Sequence, residues 1–125
     1  MEIAAWANRC YLLTPHQKRR FPEKLDFRTS AGFLGGRGER QAAGLRGGGM
    51  LAVVTDLGVM EPDENGELVL TALHPGASAE QARANTGWDL KVASDLKTTP
   101  APSAEELRIL REELDPQGIY LKGGA

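Results

Sequence analysis

A single cysteine, Cys10, stands in the 125 residues. No internal disulfide framework is open to the chain, and a lone thiol suits a reducing cytosol. Neither sign of charge is in excess. The 15 Lys and Arg against 17 Asp and Glu leave −2, so bulk electrostatics favour neither nucleic acid nor an anionic membrane. No apolar run approaches the roughly 20 residues that span a bilayer. The N-terminus carries Glu2 and lacks the basic start and apolar stretch of a secretory signal. Internal repeats are absent. The two histidines, His16 and His74, have no further ligand at metal spacing. A zinc site needs about three or four convergent ligands, so each His beside its Pro reads as structural. The glycines precede a strand and have no Gly-Lys-Ser/Thr after them, which fits neither a phosphate loop nor a dinucleotide fingerprint.

What remains is a chain of ordinary composition, 41% hydrophobic and 26% charged, with length for one domain and one core. Residues 3–7 read as a short helix. Cys10-Tyr11-Leu12-Leu13 reads as a short buried strand closed by Thr14-Pro15. Cys10 lies inside that apolar run, so it reads as a small buried hydrophobe and not as a nucleophile. Lys18-Arg19-Arg20, with Arg37, Arg40 and Arg46, suggests RNA only weakly. Glu23 and Glu39 dilute the charge and aromatic platforms are scarce, so a solvated face or one that pairs with an acidic partner is the expectation. Residues 25–29 alternate as a half-exposed strand would, and residues 35–49, rich in Gly and Arg, read as a mobile loop.

Residues 51–59 read as one mostly buried strand, and residues 67–73 as its partner across the turn Asp63-Glu64-Asn65-Gly66. Ser78 and Gln81 make a capping box for a helix that Gly87 would end. Trp88 reads as a core anchor. A stiff Thr-Pro linker over residues 98–102 leads to a helix over residues 103–115. Its capping box is Ser103 with Glu106, its stripe Leu107, Leu110 and Leu114, and its stop Pro116. By themselves these signals define a soluble α/β domain.

The order of several motifs goes further. Residues 14–27 (TPHQKRRFPEKLDF), Thr29-Ser30-Ala31-Gly32-Phe33, Val53-Val54-Thr55-Asp56-Leu57-Gly58-Val59, Leu73-His74-Pro75-Gly76 and Thr86-Gly87-Trp88-Asp89-Leu90 follow one another. So does the segment from Ser103 to Leu114-Asp115-Pro116. This series resembles the C-terminal part of the beta subunit of family I coenzyme A transferases, of the glutaconate CoA-transferase type. Ala31 departs from the family's Thr-Ser-Pro-Gly loop by replacing its proline.

The resemblance implies an open CoA-transferase-type α/β sheet with flanking helices, truncated at the N-terminus as an internal start, a split gene or a fragment. It implies a cytoplasmic hetero-oligomer with a CoA-transferase alpha subunit, acting on an acyl-CoA and a small carboxylic acid. Coenzyme A enters as a thioester substrate; no resident cofactor and no metal is implied. The family's glutamate nucleophile matches no position here, so no catalytic residue is assigned. Met1-Glu2-Ile3-Ala4 is similar to the end of the family's glycine-rich element, and Glu2 to its closing acid. The candidates for a CoA or substrate loop are Glu2, Thr29, Ser30, Gly32, Gly47, Gly48 and Gly49. Alternatives are a subunit of a related hydrolase that opens a ring of a CoA-linked steroid, and a non-catalytic scaffold subunit.

Overall fold

The computed structural model describes residues 3–120. Helix α1 (Ile3–Trp6) leads into β1 (Cys10–Leu13), α2 (Arg37–Ala42), β2 (Met50–Val54) and β3 (Gly58–Pro62). Next come β4 (Leu68–Leu73), α3 (Ala79–Ala84), β5 (Lys91–Thr98) and α4 (Ala104–Arg108), which widens into a π-type helix over Ile109–Leu114. The five strands form one open sheet in chain order. β1 runs parallel to β2, β2 to β4 form an antiparallel meander, and β5 returns parallel to β4.

The register aligns one row of side chains across the sheet: Leu12, Val53, Met60, Leu70 and Val92. The middle three are 2%, 0% and 0% exposed, whereas Leu12 at the β1 edge is 44% exposed. Phe21, Ala82 and Leu90 close the core over that row, with Trp88 packed against them. Each fully buried large side chain contributes about 1.5–3 kcal/mol, so the core is centred on the meander. Trp88 and Phe21 meet edge to face at 6.1 Å between ring centres, the anchoring role expected of the tryptophan.

Local signals fold as read. Asp63 Oδ1 accepts from the amides of Asn65 (2.8 Å) and Glu67 (3.0 Å), and Gly66 supplies the φ of 91° that the β3–β4 turn requires. These amides, Glu67's first, hold the partly exposed Asp63 carboxyl below its ordinary pKa. Both capping boxes are complete, Ser78 with Gln81 and Ser103 with Glu106.

The structure differs from the sequence expectations at six points. The single strand expected over residues 51–59 is two strands, split where Thr55 Oγ1 accepts from the Leu57 and Gly58 amides (3.2 and 3.1 Å). That side-chain turn ends β2 and sends the chain back as β3. Residues 25–29 form no strand; Leu25 and Phe27 stay 61% and 80% exposed, with no neighbouring strand to pair. β1 is a strand but not a buried one, because it lies at the sheet edge. Within residues 35–49, expected to be loop throughout, α2 forms over Arg37–Ala42. β5 was not expected, and the helix before it ends at Asn85, ahead of Gly87.

Candidate functional site

Two groups of residues converge on the connections that flank β1 and β2. The first surrounds Thr55. His16, fully buried, places Nδ1 3.1 Å from Thr55 Oγ1 and Nε2 3.0 Å from Thr86 Oγ1. Thr55 Oγ1 accepts the two turn amides, and its one proton is shared between Gly58 O and His16 Nδ1, both 3.1 Å away. Nε2 then carries the imidazole proton and donates to Thr86 Oγ1, whose own proton goes to Ala82 O at 2.8 Å. Burial pushes the His16 pKa below the ordinary 6.5, against the opposing pull of the Asp56 carboxylate and the Ala82 carbonyl. Asp56 Oδ1 also accepts from the His16 amide at 2.6 Å. The arrangement locks a neutral histidine and leaves it no free nitrogen. It ties the end of β1 to the β2–β3 turn and to the end of α3, the structural role expected of a lone histidine.

The second group surrounds Arg40, which is 4% exposed. Its Nε donates to Gly47 O (3.2 Å), Nη1 to Gly32 O (2.6 Å), and Nη2 to Ala5 O (2.9 Å) and Ala4 O (3.4 Å). One guanidinium thus stitches α1, the connection before α2 and the glycine run into a single junction. The glycines make that junction possible. A Cβ on Gly47 would lie 2.5 Å from Ala7 O, and one on Gly48 2.1 Å from Asn8 O. The backbone of the loop rests directly on the α1–β1 connection. Gly49 packs against Phe33 and the Arg40 side chain.

Of the candidate loop residues, Gly32, Gly47, Gly48 and Gly49 therefore come together. Thr29 and Ser30 are exposed on the preceding connection, and Glu2 lies outside the described residues. Sequence reasoning counted Arg40 only within a basic surface; nothing in its neighbours' spacing signals burial. A cleft of about 510 Å³ opens over the junction, lined by Phe33, Arg37, Arg40, Arg46, Gly47 and Gly48 among others. A second of about 510 Å³ lies at the C-terminal ends of β1 and β2, lined by Thr14, Gln17, Thr55 and Asp56 among others. Among the described residues no cluster of His, Cys, Asp or Glu could hold a metal ion, and no helix is long and apolar enough to cross a membrane.

An open mixed sheet with helical crossovers at both parallel pairs is the fold of the CoA-transferase type of α/β protein. The solved glutaconate coenzyme A-transferase of Acidaminococcus fermentans superposes with a TM-score of 0.86 at 35% identity, over 96% of this chain and 46% of that one. The B subunit of glutaconate CoA-transferase from the same organism is 37% identical over 122 residues, 96% of this chain and 45% of its own length. The B subunit of 3-oxoadipate CoA-transferase from Pseudomonas knackmussii is 41% identical over 111 residues, 88% of this chain and 43% of its own. A shorter match, 39% over 70 residues, links 54% of this chain to 27% of the cholesterol ring-cleaving hydrolase IpdB subunit of Rhodococcus jostii. No family model matches. Over 88% and 96% of its own length the chain is homologous to CoA-transferase B subunits, and it spans less than half the length of those two relatives.

Proposed function

We propose that this chain forms part of the B subunit of an enzyme that moves coenzyme A between an acyl-CoA and a short carboxylic acid, with a dicarboxylic or 3-oxo acid as substrate. The observation that carries the reading is the identity of 41% and 37% to subunits named for 3-oxoadipate and glutaconate transfer. The reaction proceeds in covalent steps. A glutamate carboxylate attacks the thioester carbonyl, giving an acyl-glutamyl anhydride and releasing CoA thiolate. The thiolate attacks the glutamyl carbonyl, giving a glutamyl-CoA thioester and the free acid. A second acid reverses both steps. The nucleophile comes from outside this chain, which supplies the sheet, the Arg40 junction and a surface for an A subunit.

The test is transfer of coenzyme A from glutaryl-CoA to acetate. We expect none from the chain alone. Turnover should appear when an A subunit and the remainder of a B subunit are added. Turnover by the chain alone that Glu2→Gln abolishes would overturn the assignment of the nucleophile. Ring opening of a CoA-linked steroid without acyl exchange would favour the hydrolase reading, for which the shorter IpdB match speaks.

A further inference from the structure

The buried guanidinium of Arg40 has four carbonyl partners and no ion pair among the described residues. Carbonyls satisfy its donors but carry no net charge, so a unit positive charge remains under the cleft. Two more arginines line that cleft. Arg37 lies on the Phe33 ring, 4.7 Å from its centre, and donates to the carbonyls of Asp63 (3.0 Å) and Pro62 (3.4 Å). Arg46 is exposed and makes no hydrogen bond or ion pair with the described residues. Among the described residues no Asp or Glu lines the cleft. Among the described residues these three cations face no acid, and one of them is buried with only carbonyl partners; such a cluster favours a multiply charged anion. Guanidinium forks suit phosphate oxygens. The cleft's volume of about 510 Å³ is that of a small-molecule site.

Resting on the transferase reading, we propose that the Arg37–Arg40–Arg46 cleft holds the phosphates of the nucleotide end of coenzyme A. Arg40 positions the loop and supplies the buried charge; Arg46 is the free fork at the rim. The acyl end then points away from this cleft, towards residues that the rest of the enzyme supplies.

The experiment follows amide NMR shifts of the full chain on titration with coenzyme A, with adenosine bisphosphate carrying its ribose phosphate, with pantetheine, and with inorganic pyrophosphate. We expect coenzyme A and the bisphosphate to shift residues 44–49, pantetheine to leave them unmoved, and affinity to fall with added salt. Arg46→Glu should weaken coenzyme A binding about tenfold or more, and Arg46→Lys less. Arg46 is exposed, so these variants fold, as their unshifted remote amides will show. Equal affinity for wild type and Arg46→Glu, or shifts confined to Thr14 and Asp56, would overturn the proposal while leaving the transferase reading intact. A response to pyrophosphate alone, or only to an acidic partner subunit, would overturn it as well. Nucleotide binding here, in an assembled complex that transfers no coenzyme A, would uphold the cleft and sink the transferase reading.

Discussion

Thr55 stands between the two histidines of the chain. Its hydroxyl lies 3.1 Å from His16 Nδ1, and its carbonyl accepts from His74 Nε2 at 2.9 Å. His74 Nδ1 in turn lies 2.7 Å from Thr99 Oγ1, just past β5. One turn residue therefore connects the end of β1, the β4 end and the segment after β5.

Removing that hydroxyl should be costly. Thr55→Val keeps the shape but strands His16 Nδ1 and the two turn amides inside the protein. We expect a loss of about 2–4 kcal/mol, most of it recovered in Thr55→Ser. Urea unfolding of the three proteins checks this; an equal midpoint for the valine variant would refute the shared-hydroxyl account.

His16 predicts a pH dependence with a definite sign. Its pKa is below 6.5 in the folded state because burial disfavours the cation. Between the folded and unfolded pKa values the unfolded chain binds more protons, so stability rises with pH there. Full stability is present above about pH 6.5 and is lost as pH falls towards the folded value. Denaturation midpoints from pH 7.5 down to 5 should decline, and His16→Gln should flatten that decline, although it starts from lower stability. A steeper fall in the glutamine variant would exclude His16 as the cause.

The glycines of the loop divide by geometry. Gly48→Ala would force a methyl to within 2.1 Å of Asn8 O, which should cost about 2 kcal/mol or more. Gly38 lies in α2 with nothing within 4 Å of an added methyl. Gly38→Ala should therefore stabilise by about 0.5–1 kcal/mol. Thermal melts of both variants decide; equal shifts would mean that the loop does not rest on the α1–β1 connection.

The β1 edge should associate. Tyr11, Leu12 and Leu13 are 58%, 44% and 76% exposed on a strand paired on one side only. Sedimentation of the isolated chain should show concentration-dependent self-association, reduced by Leu13→Lys and by an added A subunit that raises the melting temperature. A monomer at all concentrations, with a melt unchanged by partner, would show that the edge needs no cover.

Contacts between near neighbours were legible in the sequence. Asp63 with Asn65 and Glu67, Ser78 with Gln81, and Ser103 with Glu106 act over two to four residues, so residue type and spacing suffice to place the turn and the two helix starts. The family resemblance likewise needed only the order of motifs. What lay beyond reach depended on partners far along the chain. Residues 51–59 are apolar enough for one strand; only the turn at Thr55, locked by a histidine 39 residues away, breaks them into two. β5 is polar over much of its length and becomes a strand because β4 offers a free edge. Arg40 reads as a surface charge, and becomes a buried junction only when the fold brings Ala5 and Gly32 to its fork. Local hydrogen bonds are encoded by residues a few positions apart, whereas burial and charge isolation are properties of the assembled sheet.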